Sequence, residues 1–364
     1  MDSELISRLA IPFIPNIGPV QARLLIDHFG SASAIFASRE AELFQIEGIG
    51  KVRARSIKTF KGFDRAKEEL QFIRKYNIRP LFITDTAFPQ RLLNCPDSPV
   101  LLFYKGEADL NHPCVISIIG TRDHTDYGKY LTEKLVKDLA DRNVLVVSGL
   151  AFGIDAIAHK AAIKNNVLTV GVLAHGLDQL YPVQHSGMAK EMVKHGGGLL
   201  TEFTNGIKPD KHNFPSRNRI VSGMSDATIV VETGVKGGSI ITAELANGYN
   251  KEVFAFPGRA NDPKSMGCHY LIQQNKAILI TGAEDIIEFL NWNKTTVRKE
   301  NRLLGELSEN EQRIVTILKE KERTHIDELN SKSTLNSSLV AATVLNLELK
   351  DLVRSLPGKL YRLA

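Results

Sequence analysis

The sequence predicts an α/β fold: a doubly wound, mostly parallel sheet with a small helical domain before it and another small domain after it. Three observations carry that prediction. Short apolar, largely β-branched runs recur at 115–119, 144–147, 168–173, 199–201, 227–231, 253–256 and 277–280. Amphipathic stretches such as 129–140 and 240–248 lie between them. Glycine-rich, polar turns follow several of the runs. Uninterrupted apolar runs suit strands buried on both faces, and their alternation with helices suits parallel pairing. A chain of 364 residues also exceeds one small core and fits two or three domains.

Residues 1–64 read as short helices. Asn16-Ile17-Gly18-Pro19-Val20-Gln21-Ala22 places an apolar residue, a glycine and then a small residue, and Ile46-Glu47-Gly48-Ile49-Gly50-Lys51-Val52-Arg53-Ala54 repeats the pattern. Glycine supplies the tight turn between two helices, and the small residue lets them approach. The pattern resembles a tandem helix-hairpin-helix (SAM-like) module, a kind that often holds DNA phosphates on turn amides. Lys51, Arg53 and Arg55 accompany the second copy and only Arg23 the first. A domain used for packing or protein contact is the alternative.

Segments 80–83 and 100–104 are expected to add strands ahead of the main sheet. Thr281-Gly282-Ala283-Glu284 reads as a capping box that opens its last helix. Residues 291–302 are polar and read as a linker. Ser308-Glu309-Asn310-Glu311 is a second capping box, followed by helices at 312–319, after His325, and at 337–350. Val353-Arg354-Ser355-Leu356-Pro357-Gly358-Lys359-Leu360-Tyr361 reads as a hairpin with a Pro-Gly turn. Helices followed by a hairpin suggest a winged helix. Its third helix has no Lys or Arg between 335 and 349, which favours a structural or protein-contact role over base reading. The expected domains are 1–64, 65–296 and 297–364.

The totals exclude little and locate less. Lys and Arg number 46 against 41 Asp and Glu, so the net charge of +5 permits a nucleic-acid partner without demanding one. Cys95, Cys114 and Cys268 lie far apart and form no Cys-x-x-Cys pair, so free thiols in a reducing cytoplasm are expected. There is no basic-then-apolar leader and no apolar run near the length needed to span a bilayer, so the expectation is a soluble intracellular protein without a membrane role.

In an open parallel sheet, ligands bind beyond the carboxyl ends of the strands. Gly120-Thr121-Arg122 follows the first run, and Ser148-Gly149-Leu150-Ala151-Phe152-Gly153-Ile154-Asp155 the second. Glu202, Lys208 and Lys211 follow the fourth, then Asn213-Phe214-Pro215-Ser216-Arg217-Asn218-Arg219. Glu232-Thr233-Gly234-Val235-Lys236-Gly237-Gly238-Ser239 follows the fifth. Glycines admit a phosphate close to the backbone, the next helix start offers free N–H groups, and arginine presents a fork of donors to phosphate oxygens. Each turn alone is an ordinary strand-to-helix loop; several on one edge with arginines point to an anion or nucleotide-like site. Ser239 offers either a hydroxyl or a helix cap, Asp155 reads as an N-cap, and Phe152 reads as core unless it stacks a base. His159 and His175 lack metal-like partners and read as packing or hydrogen-bonding residues, so no metal is expected. Neither a P-loop nor a Gly-x-Gly-x-x-Gly fingerprint is present, and no nucleophile–base constellation surrounds Glu202 or Glu232. No catalytic residue and no cofactor are expected.

Together with Gly176-Leu177-Asp178-Gln179-Leu180-Tyr181-Pro182, Gly238-Ser239-Ile240-Ile241-Thr242-Ala243 and Phe256-Pro257-Gly258, these segments resemble the DNA-processing DprA/Smf family, in order and across the central domain. His185 and Val235-Lys236-Gly237 depart from the family's usual residues. The resemblance implies an extended Rossmann-like domain between the helix-hairpin-helix and winged-helix domains. It implies a non-catalytic single-stranded-DNA-binding protein of natural transformation that shields incoming strands and helps load the RecA recombinase. A homodimer formed through the Rossmann-like domain is also implied. The DNA site it implies includes Arg122, Arg217 and Arg219. With the glycine turns it takes in Gly120, Thr121, Ser148, Gly149, Phe152, Gly153, Lys211, Asn218, Gly238 and Ser239.

Two other readings compete. Gly237-Gly238-Ser239-Ile240-Ile241-Thr242-Ala243-Glu244 is similar to the active-site turn of nucleotide-processing phosphoribohydrolases but lacks its proline, and that reading predicts an enzyme dependent on Glu244. A scaffold with a vestigial groove predicts no DNA binding at low salt.

Overall fold

The computed structural model describes residues 2–292, 307–319, 321, 323–350, 352–356 and 358–363. It divides into two units, Met1–Trp292 and Asn293–Ala364.

The first unit opens with helices α1 (Asp2–Ala10), α2 (Pro19–Phe29), α3 (Ala32–Ala37), α4 (Glu40–Phe44), α5 (Lys51–Lys58) and α6 (Phe63–Lys75). Gly18 and Gly50 stand at the N-caps of α2 and α5, and the small residues Ala22 and Ala54 are buried as the helical contacts require. Arg53 does not face outward as a free cation. Its Nη1 donates to the Gly48 carbonyl at 2.7 Å and its Nε to the Asn16 carbonyl at 3.1 Å, which ties the two glycine turns together.

Two antiparallel strands follow, β1 (Arg79–Phe82) and β2 (Leu101–Gly106). The alternating region is then β3 (Val115–Ile119), α7 (Asp126–Asp138), β4 (Leu145–Ser148), α8 (Ile154–Lys164), β5 (Leu168–Val172), α9 (Ser186–Lys194) and β6 (Gly198–Thr201). It continues with α10 (Asn213–Gly223), β7 (Ala227–Val230), α11 (Gly238–Gly248), β8 (Glu252–Ala255), α12 (Met266–Gln273), β9 (Ile278–Leu279) and α13 (Ala283–Phe289). The sheet order is β1-β2-β6-β5-β4-β3-β7-β8-β9. Neighbouring strands from β6 to β9 in that order are parallel, and β2 joins β6 antiparallel. The winding direction reverses between β3 and β7, which opens a crevice at their carboxyl ends.

Strand residues point alternately to two apolar layers. Ile116, Ile118, Val146 and Ile229 meet α7, α8 and α13 on one face. Val115, Ile119, Leu145, Val147 and Val230 meet α10, α11, α12 and the N-terminal helices on the other. At the amino ends of β3 and β7 the Asp226 carboxylate holds Arg91 by both oxygens, at 2.6 and 2.9 Å, and also accepts the Val115 amide at 2.9 Å. Two expected caps are displaced by one structural feature each. The last helix is capped through Asp285 and not Glu284, because the Asp285 carboxylate accepts the Thr281 and Gly282 amides. Asp155 lies inside α8, whose N-cap is Gly153.

The second unit contains α14 (Glu309–Lys319), β10 (Thr324–His325), α15 (Ile326–Ser333), α16 (Ser337–Leu349), β11 (Val353–Leu356) and β12 (Leu360–Leu363). Its strands pair antiparallel in the order β10-β12-β11, over a core that includes Ile314, Leu318, Leu329, Val344 and Leu347. Ser308 and Glu311 form the expected reciprocal cap. Residues 293–302 of the expected linker and Pro357 of the expected turn lie outside the described residues. Among the described residues no helix is long and apolar enough to cross a membrane.

Removing the Asp226 carboxylate leaves a half-buried guanidinium and a strand-end amide without their acceptor. Asp226→Ala is expected to cost about 2–3 kcal/mol in urea denaturation, the range for lost hydrogen bonds to a charged group.

Candidate nucleic-acid interface

A cavity of about 340 Å³ occupies the crevice where the winding reverses. Its wall is built by the turns after β3, β4 and β7 and by the first turns of α10 and α11, and it includes Arg122, Gly149, Arg217, Asn218, Gly238 and Ser239. A narrow cleft adjoins it, lined by Phe152, His175, Tyr181 and Phe214 and sharing Arg122 and Arg217.

Arg122 is the exposed cation of this site. It makes no ion pair to a carboxylate among the described residues, and its guanidinium lies 5.3 Å from the centre of the Phe214 ring. The turn that carries it is fixed from below. The Thr121 amide donates to the Glu232 carbonyl at 2.7 Å, and the Thr121 carbonyl accepts the Ile154 amide. The Glu232 carboxylate, 2% exposed, accepts the Thr125 amide at 2.9 Å and the Thr125 hydroxyl. Thr125 in turn caps α7 through the Gly128 amide. Glu232 is therefore consumed in holding the arginine turn and is not a free acid. Gly153, at φ +81°, lets the next turn cross here, because a Cβ would strike the Thr121 carbonyl and the Arg122 backbone.

Arg217 has the opposite character. It is 4% exposed. Its Nη1 donates to the Gly149 carbonyl and, at 2.7 Å, to the Val172 carbonyl, and its Nε reaches the Asn218 side chain at 3.1 Å. The close approach needs glycine at 149, since a Cβ there would overlap the guanidinium. Burial lowers the Arg217 pKa, and Asp155 opposes that shift. Burial raises the Asp155 pKa, and Arg217 opposes that shift in turn. Asp155 accepts the Gly149 and Ala151 amides at 3.1 and 3.4 Å, so it folds the turn back onto its own helix. The two groups compensate each other inside the wall, and only part of the guanidinium meets the cavity.

The other expected site residues divide between the wall, its rim and positions outside it. Arg219 points away from the crevice. It pairs with the Glu202 carboxylate and donates to the Asp97 carbonyl, and it is 8% exposed. Helical positions two apart point to opposite sides, so Arg217 and Arg219 diverge. Ser148 is fully buried behind the wall and donates to the Ile118 carbonyl at 2.6 Å. Ser239 does not cap α11, whose N-cap is Gly237; its hydroxyl donates to Thr233 Oγ at 2.6 Å. Lys211 is exposed on the loop before α10 and outside the cavity wall. Phe152 is 43% exposed and stands edge-on to His185, with ring centres 4.9 Å apart, so it is a rim residue and not core. Gly120, Thr121 and Gly238 line the cavity.

His159 and His175 are held in hydrogen bonds. His159 is fully buried on the Thr169 hydroxyl at 2.7 Å, and burial pulls its pKa down to about 3. His175 Nε2 accepts the Tyr181 amide at 3.1 Å, so it is neutral and holds the cleft's tyrosine.

Comparison with known proteins now bears on this geometry. A family model described as DNA recombination-mediator protein A matches residues 79–291. The chain belongs to the DNA recombination-mediator protein A family. A DprA winged helix domain matches 298–359 and a helix-hairpin-helix motif matches 8–69. The chain is 41% identical to Protein Smf of Escherichia coli over 56% of its own length, and the match spans 54% of that relative. The DprA structure from Streptococcus pneumoniae aligns with a TM-score of 0.66 at 31% identity, over 78% of this chain and 96% of that one. The DprA structure from Helicobacter pylori, described as revealing a single-stranded DNA binding mode, aligns with a TM-score of 0.53 at 31% identity, over 59% of this chain and 95% of that one. Within this family member, Tyr181, Phe214 and Glu232 belong to the site's construction although sequence reasoning assigned them no part in binding. The aromatic before the Pro-Ser-Arg-Asn-Arg segment was the available signal for Phe214.

Glu232→Ala is expected to cost about 3 kcal/mol and to raise exchange at the Thr125 amide, as read by hydrogen-exchange mass spectrometry and denaturation. Burial also pushes the Glu202 carboxyl from its ordinary 4.5 up to about 6, against the pull of Arg219. The folded state then keeps that proton longer than the unfolded state, so the stability this group contributes falls as pH rises from 4.5 to 6. Compared with Glu202→Gln, the wild type is expected to lose on the order of 2 kcal/mol across that window in urea midpoints measured at several pH values.

Proposed function

We propose that the crevice binds single-stranded DNA along its phosphate backbone. The observation that carries this is Arg122: an exposed guanidinium on a fixed turn at the mouth of a strand-end cavity, without a carboxylate partner among the described residues. The start of α11 at Gly238 brings a helix N-terminus to the cavity wall, and first-turn backbone N–H groups favour an anion. Phe214, Tyr181 and Phe152 offer ring faces and edges beside the charge, the combination that single strands use without sequence readout. Family membership and the description of the Helicobacter pylori relative support the same ligand.

The wider role in this proposal is reception and shielding of incoming strands in natural transformation, with transfer to the RecA recombinase, by a cytoplasmic homodimer. A dimer would set two crevices on one strand and raise the effective concentration of the second contact. The protein acts in this reading by binding and not by catalysis. Glu244, the acid of the enzymatic alternative, pairs with Lys276 at 2.8 Å and is absent from the cavity wall.

The residues divide by role. Arg122 contacts phosphate, with Gly120, Thr121, Gly238 and Ser239 around it. Arg217, Gly149 and Asn218 build the wall, with Gly153 and Ser148 supporting it from behind. Fluorescence anisotropy of a labelled oligo-dT across a salt series tests this. Arg122→Ala is expected to bind about tenfold more weakly and to flatten the log–log salt slope by about 0.7, one single-strand phosphate. Arg219→Ala is expected to lower the unfolding midpoint and leave the slope unchanged. A slope unchanged by Arg122→Ala, or wild-type protein that does not bind at low salt, overturns the proposal.

A further inference from the structure

We propose that the N-terminal helices position the basic loop between β6 and α10, so that Glu69 and Arg65 are positioning residues for single-strand binding; this rests on the reading of the crevice given above. Residues 202–212 form an irregular loop whose far half carries the exposed Lys208 and Lys211. A loop of that kind would ordinarily lose freedom when its lysines meet phosphate. Here the freedom is already removed at one residue, Asn205.

Glu69 lies on α6 and is 1% exposed. Both its carboxylate oxygens accept the Asn205 amide, each at 3.2 Å. Arg65, one helical turn earlier, donates through Nη2 to the Asn205 carbonyl and to its side-chain oxygen, both at 2.6 Å. Arg65 also pairs with Glu69 at 3.2 Å and lies 5.1 Å from the centre of the Phe13 ring. The amide, the carbonyl and the side chain of a single loop residue are thus all held from α6.

The opposite side of the loop is held by the turn after β5. The Gly176 amide and the Gln179 side chain both donate to the Ile207 carbonyl at 3.0 Å. A Cβ on Gly176 would come within 2.5 Å of the Thr204 carbonyl oxygen and 2.9 Å of Asn205 Cα, so the two loops touch along their backbones. That same turn leads to Tyr181 in the cleft. Residues 205–207 are therefore gripped between α6 and the cleft, while Lys208 and Lys211 project from the free half. Closer to α10 the Asn213 side chain donates to the Lys208 carbonyl at 3.3 Å.

A buried carboxylate is costly unless its lone pairs are used, and burial pushes the Glu69 pKa upward. Plain domain adhesion would be served as well by apolar side chains. A carboxylate and a guanidinium aimed at one loop residue specify where that loop sits.

The test uses the full chain, labelled oligo-dT and a salt series. Lys208→Ala/Lys211→Ala is expected to flatten the salt slope by about 1.4, two single-strand phosphates. Glu69→Gln is expected to weaken binding several-fold and to flatten the slope toward that of the double-lysine variant. Added to the double-lysine variant, Glu69→Gln is expected to weaken binding no further. Arg65→Ala serves as an independent variant with the same expected pattern, should Glu69→Gln fail to fold. A lowered unfolding midpoint with wild-type affinity and slope would make Glu69 and Arg65 merely structural and overturn the inference, as would full additivity with the lysine changes. Wild-type protein that binds no oligo-dT would overturn the crevice reading itself, whereas wild-type binding lost in Arg122→Ala but insensitive to Glu69→Gln would overturn only this inference.

Discussion

The construction of the crevice depends on one buried guanidinium. Arg217 enters from α10 and donates to the Gly149 and Val172 carbonyls at the ends of β4 and β5. A charge in that position tolerates burial only because carbonyl oxygens and the nearby Asp155 compensate it. The turn after β4 can then run close to α10, and the cavity acquires a rigid floor. Glycine at 149 follows from this contact, as does the inward-folded Asp155.

The same logic separates the charges that build from the charge that binds. Glu232, Asp155, Arg217, Arg219 and Glu202 are each largely buried and engaged with backbone groups or with one another. Arg122 stands on the turn that Glu232 holds and keeps its guanidinium toward solvent. Preorganised in this way, it need not lose turn entropy when it meets an anion. Helix α6 extends the arrangement to the lysine-bearing loop through Asn205, which gives residues remote in sequence a direct mechanical connection to the crevice.

How far the sequence could be read depended on whether a signal was local. The strand at 115–119 and the reciprocal cap of Ser308 and Glu311 are local, since apolar periodicity and side-chain spacing along one segment suffice to produce them. The antiparallel extension by β1 and β2 was anticipated as added strands, but not its attachment to β6. Arg217 and Arg219 looked equivalent in the segment Arg-Asn-Arg, and the helix sent them to different faces. Glu232 looked like a possible acid at a strand end and proved to be the cap holder of α7. Phe152, read as core unless it stacks a base, emerged on the rim beside His185.

The sequence by itself determined the succession of strands and helices, the glycine turns at the strand ends and the set of cations available to a polyanion, because these follow from side-chain period and chemistry along the chain. Only the tertiary structure decided which arginine is presented and which is buried. That choice depends on carbonyls of β4 and β5, a carboxylate at the end of β6 and a helix start at α7, groups far apart in sequence that meet only when the sheet reverses its winding between β3 and β7.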